Sequence, residues 1–164
     1  DNCTGRFWEG RFKSQALLDE SAVLACMAYV DLNPIRAKLE KTPETSKYTS
    51  IKNRLQAAKS KRPQPRTLMP FVGNAQQNMP KGIAFSLNDY CELVDITGYI
   101  DDAQCPILVR LGLNTTQWLT LTTEFEKHFC YAAGAEQMMN SFKRHTHHQR
   151  LRGMGQAKVL LKQG

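Results

Sequence analysis

Apolar residues recur at helical spacing along most of this chain. Val23, Leu24, Met27 and Val30 fall on one face of a helix. Asp19 or Ser21 can cap its N-terminus, with Glu20 in the first turn. Pro34 stops it, because proline lacks an N–H and clashes with the preceding turn. Asn33 as N-cap and Pro34 at the first helical position then predict a short helix through Leu39. A further helix is predicted from Ser50 to Lys59, bearing Lys52, Arg54 and Lys59. Residues 59–70 carry prolines and positive charges that resist regular structure, and residues 71–85 are punctuated by Gly73, Pro80 and Gly82. Beyond them the pattern is helical again. Ser86 with Asp89 opens a helix ending near Gly98, and Pro106 starts a short one through Leu111. Asn114 with Gln117 opens the next, whose Trp118, Leu121, Phe125 and Phe129 share a face; Gly134 is expected to end it. A helix through Met138, Met139 and Phe142 follows, and a last one runs from Gly155 to Lys162. Extended structure is expected only over residues 11–18. The fold class this predicts is mostly α with minor β.

Composition narrows the picture. A hydrophobic share of 41% fits a soluble globular chain rather than a disordered one, and no apolar run approaches the roughly 20 residues needed to span a bilayer. The first residues contain no apolar segment of signal-peptide type and no initiator methionine, so a trimmed chain or a piece of a longer protein is expected. Five scattered cysteines without CxxC spacing argue against a structural zinc site and for a reducing, cytoplasmic compartment. Cys26, Cys91 and Cys130 sit among apolar residues and read as small core residues.

The net charge of +7 is uneven: +6 over residues 1–66, −5 over 67–140 and +6 over 141–164. Basic blocks at both ends suit a polyanion such as DNA, since each phosphate contact releases condensed counterions. The plain alternative is a solvated surface.

The stretch from Cys26 to Ala37, Cys-Met-Ala-Tyr-Val-Asp-Leu-Asn-Pro-Ile-Arg-Ala, carries the candidate chemistry. Tyr29 and Asn33 stand one helical turn apart on one face. A tyrosine hydroxyl can attack a DNA phosphate, and a carboxamide oxygen one turn away can ligate a divalent metal. Arg36 and Lys38 could hold flanking phosphates. On spacing alone, a packing tyrosine and a capping asparagine are the readings these residues favour over the catalytic one.

Two blocks, Gly5-Arg-Phe-Trp-Glu-Gly-Arg-Phe-Lys-Ser14 and Tyr29-Val-Asp-Leu-Asn-Pro-Ile-Arg-Ala37, resemble the REP-associated single-tyrosine transposases, and Tyr48-Thr-Ser50 fits their continuation. Residues 85–164 resemble the tail of a longer subfamily by pattern only. The resemblance implies a ferredoxin-like domain built around a His-hydrophobic-His (HUH) motif that binds Mg²⁺ or Mn²⁺. It also implies single-strand DNA cleavage and joining through a phosphotyrosine intermediate. It maps the nucleophile onto Tyr29 and a metal ligand onto Asn33. The basic N-terminal block makes Arg6, Arg11 and Lys13, with Arg36 and Lys38 beside the tyrosine, the expected DNA contacts. The chain departs from the family in one respect: all four histidines (His128, His145, His147, His148) follow Tyr29, where the family's pair precedes it. The tract from His145 to His148 lies among Lys143, Arg144, Arg150 and Arg152, which repel a cation, and reads as basic surface.

The domain division expected from this is residues 1–58 as the C-terminal remnant of an HUH domain, 59–84 as a basic linker and 85–164 as a helical tail domain. The fragment alone is expected to hold no metal and to leave DNA uncut. A non-catalytic DNA-binding module is the alternative, and a structural domain with an incidental basic face is a third reading.

Overall fold

A computed structural model describes residues 14–73, 81–97, 105–147 and 149–161. The chain is mostly helical with a minimal sheet. Strand β1 (Ala16–Leu17) leads into α1 (Glu20–Asp31) and the four-residue α2 (Asn33–Arg36). Then come α3 (Ser50–Lys59), α4 (Leu87–Ile96), α5 (Pro106–Arg110) and α6 (Thr115–His128). Strand β2 (Ala132–Ala133), α7 (Glu136–His145) and α8 (Met154–Leu160) complete the order.

Most helix starts follow their local chemistry. Asp19 caps α1, its carboxylate accepting from the Ala22 amide at 2.9 Å. Asn114 and Gln117 form a reciprocal capping box on α6, with both bonds at 2.8 Å. Ser86 caps α4, and Pro106 opens α5 where its missing N–H costs no bond. Asn33 is not the cap of α2 that its place before Pro34 suggests: Leu32 holds that position without a side-chain bond, and Asn33 is the first helical residue. The α2 helix ends sooner than expected, in a Schellman closure. The Lys38 amide reaches the Ile35 carbonyl and the Leu39 amide reaches that of Pro34, both at 2.9 Å. That closure puts Lys38 in the left-handed region, φ 57°, where glycine is usual.

The largest departure from the sequence pattern follows α6. Instead of running on to Gly134, the helix stops at His128, and Ala132–Ala133 pair in parallel with Ala16–Leu17, in register Ala16 with Ala132 and Leu17 with Ala133. Gly134 serves this junction. A Cβ there would lie 2.8 Å from Leu18 Cβ and 2.9 Å from Asp19 Oδ2. The same Asp19 carboxylate that caps α1 also accepts from the Ala135 amide ahead of α7. Because the helix has ended, helical spacing no longer places Cys130, which is exposed rather than in the core. Cys26 and Cys91 do pack against the core, and burial pushes the Cys91 thiol up to about 11.

One apolar cluster holds the described residues together. It takes Leu24, Ala25 and Ala28 from α1, Ile51 from α3 and Leu93 from α4. Trp118, Leu121 and Phe125 of α6 and Met139 of α7 complete its centre. The aromatic stripe of α6 is therefore a core face, and α1 packs along it. The segment after α3 is pinned to this cluster although it lacks regular structure. Gln64 brackets Phe71, accepting from its amide and donating to its carbonyl, both at 2.9 Å. Phe71 pairs with Ile83 and stacks on Tyr90 at 5.2 Å. The residues on either side of the expected linker thus share one core.

Candidate functional site

The C-terminal end of α1 is where the candidate residues meet. A helix advances 100° per residue, so Tyr29 and Asp31 point to opposite sides of one turn. Asp31 points inward and is 1% exposed. Its Oδ1 accepts from the amides of Ser50 (2.9 Å) and Ile51 (3.2 Å), and its Oδ2 accepts from the hydroxyls of Ser50 (3.0 Å) and Tyr90 (2.7 Å). The N-terminus of α3, where Thr49 gives no side-chain cap, is therefore capped from another helix. Burial, then repulsion from Asp31, lifts the Tyr90 hydroxyl well above the ordinary tyrosine value. Arg54, buried on α3, stacks over Phe71 at 4.7 Å and donates to Gln64 and the Met69 carbonyl.

Tyr29 points the other way, toward α6. Its ring lies 6.3 Å from that of Phe125 and is only half-buried. Its hydroxyl faces the exposed Glu126 carboxylate. Burial and then that hydrogen bond raise its pKa, against the pull of Arg36 and Lys127. Arg36 lies over the Tyr29 ring at 4.6 Å and donates to the carbonyls of Tyr29 and Thr122. The second carbonyl sits just before Glu124, whose φ/ψ of −129°/20° kinks α6. Three threonines of that helix, Thr120, Thr122 and Thr123, bond back to carbonyls four residues earlier, a habit that bends helices. Arg36 thus clamps the end of α1 to the bend in α6, with its cation close to the tyrosine. Glu126 and Lys127 also line an open groove with Ser14, Gln15, Cys130 and Arg152.

The sequence-predicted residues divide accordingly. Tyr29 and Arg36 are brought together. Asn33 and Lys38 are exposed on α2 and just after it. Arg6, Arg11 and Lys13 lie outside the described residues. Asn33 offers one carbonyl oxygen, whereas Mg²⁺ takes about six ligands. Among the described residues no group of three or more His, Cys, Asp or Glu side chains could complete the set. The ion implied by the resemblance would need its other ligands from outside the described residues. His145 turns its Nδ1 onto the Ser141 carbonyl at 2.8 Å, and His148 lies outside the described residues.

Sequence reasoning missed two residues here. Asp31 stood inside the quoted motif but carried no local signal of its distant partners. Glu126 belongs to a helix that had been given no chemistry. Tyr48 is fully exposed with φ 65°, a backbone state that a bulky residue rarely adopts. Compared with family models, curated proteins and solved structures, the chain matches none. No helix of the described residues is long and apolar enough to cross a membrane.

Proposed function

We propose that this chain is the tyrosine-bearing part of a single-strand DNA-processing enzyme of the transposase type, the C-terminal remnant of an HUH domain with a helical tail packed on it. In this reading the Tyr29 oxygen attacks a DNA phosphorus. The phenolic O–P bond forms, the bond from phosphorus to the 3′ oxygen breaks, and the departing oxygen takes up a proton. The Glu126 carboxylate accepts the proton that the tyrosine gives up. Arg36 stabilises the developing charge and holds the ring in place. A divalent ion, Mg²⁺ or Mn²⁺, would polarise the phosphate, with Asn33 as one ligand.

The observation that carries the reading is the division of labour on one helical turn. Asp31 explains itself as scaffold, and the tyrosine beside it does not. Its hydroxyl is left at the surface next to an acceptor carboxylate and a cation. Tyr90, by contrast, buries its hydroxyl against a structural partner. The protein from the whole reading frame, given Mg²⁺ and single-stranded DNA ending in a hairpin, should cut the strand, and Tyr29→Phe should not. Cutting at the wild-type rate by Tyr29→Phe would sink the reading.

A second reading has its own support: the raised pKa of Tyr29 disfavours the phenolate. A non-catalytic DNA-binding module would show salt-dependent binding with no cleavage under any divalent ion.

A further inference from the structure

We infer that α7 is a recognition helix for duplex DNA, a second nucleic-acid site independent of the Tyr29 chemistry. The helix is anchored by one face: Met139 is fully buried and Phe142 packs against the core. The opposite face is open. Gln137, Asn140, Arg144 and His147 follow one another at spacings of three and four, Lys143 stands beside Arg144, and with Gln149 they line a continuous groove. Among the described residues no acidic side chain lines it. The one acid of the helix, Glu136, is drawn to α8 by Lys158 at 2.9 Å. The chain beyond α7 adds the exposed Arg150 and Arg152.

Each residue type in the groove suits one task. Asparagine and glutamine amides pair with the adenine edge in the major groove, and arginine or lysine with guanine. Lys143, Arg144 and His145 occupy the last turn, where cations meet the negative end of the helix dipole and can also reach backbone phosphates. His147, at φ 54°, continues the stripe past the helix end. The stripe contains no Phe, Tyr or Trp, the rings on which single strands are chiefly held. The major groove of duplex RNA is too deep and narrow to admit a helix. Duplex DNA is the ligand class that remains.

The test is a binding selection. The full chain is incubated at low salt with a random 20-base-pair duplex pool, and its affinity for the selected sequence is followed by fluorescence anisotropy against salt. The wild type should select a sequence and prefer the duplex to either single strand. Gln137→Ala with Asn140→Ala should flatten the sequence preference by roughly 5- to 100-fold while leaving binding to random duplex intact. Lys143→Ala with Arg144→Ala should weaken binding to all sequences and lower the log–log salt slope by about 1.8. Neutralising Lys61 and Arg62, after α3, should do less than either. Circular dichroism checks that each variant is folded. Repeating the set in Tyr29→Phe separates the result from cleavage. The inference is overturned by any of three outcomes: no duplex binding at low salt, a single strand that competes as well as the duplex, or an unchanged selected sequence and salt slope in both double variants.

Discussion

The Tyr90 hydroxyl is sealed in the core and donates to Asp31, whereas the Tyr29 hydroxyl, two residues before Asp31 on α1, is half-buried against Glu126 of α6. Both phenols have raised pKa values and both face a carboxylate, so titration alone does not separate them. What separates them is the partner's own role. Asp31 is committed to four bonds, two of them from the backbone amides that open α3, so its contact with Tyr90 is structural. Glu126 is exposed on the surface of α6. A carboxylate beside a tyrosine thus marks scaffold when its oxygens are filled by backbone amides, and potential chemistry when they are not.

The comparison breaks most sharply at Asp31. Asp31→Ala should cost about 3–5 kcal/mol, since it strands the Ile51 amide and the Tyr90 hydroxyl in the core and frees the half-buried Ser50 amide and hydroxyl. A loss under about 1 kcal/mol in urea unfolding would show that the network is not what holds α1 to α3. Tyr90→Phe removes one charge-assisted bond and should cost about 1.5–3 kcal/mol. It should also change the alkaline limb of stability. A raised folded pKa adds stability that is full below the unfolded value, near 10.0, and is lost as pH rises through the folded one. Thermal melts above pH 10 should therefore fall with pH less steeply in Tyr90→Phe than in the wild type. If the slope is unchanged, another group dominates the alkaline limb.

Smaller effects sharpen the other side. Arg36→Ala should cost about 1–2 kcal/mol from two lost carbonyl bonds and the ring contact, and it should loosen the bend of α6 in hydrogen exchange. Lys38→Gly relieves a left-handed residue and should stabilise by about 0.5–1 kcal/mol. If Lys38 contacts DNA, affinity should fall as stability rises. A drop in both would tie Lys38 to folding alone.

Much of the helical framework was legible because its signals are local. The Asn114–Gln117 box, Ser86 and Pro106 each depend on residues within one turn. The apolar stripe from Trp118 to Phe129 named its own core face. Two-residue strands of Ala-Leu and Ala-Ala carry no periodicity, and their pairing joins Ala16 to Ala132, so β2 could not be read. The true reason for Gly134 is likewise a tertiary approach to Asp19, and Arg54 and Gln64 show that basic, proline-bearing sequence can be docked by side-chain bonds to backbone. At the candidate site, Tyr29 and Asn33 were visible as a spacing. The carboxylate facing the tyrosine lies on a helix nearly a hundred residues later, beyond the reach of any local pattern.

The most direct measurement is of the covalent bond itself. The protein from the whole reading frame is incubated with labelled single-stranded DNA and Mg²⁺, denatured and digested, and the DNA-bearing peptide is sequenced by mass spectrometry. The wild type and Tyr48→Phe should both carry nucleotide on the α1 peptide, at Tyr29. Tyr29→Phe, which should change stability by less than about 1 kcal/mol, should carry none while still binding DNA. An adduct that survives in Tyr29→Phe, or one that maps to Tyr48, would place the nucleophile elsewhere.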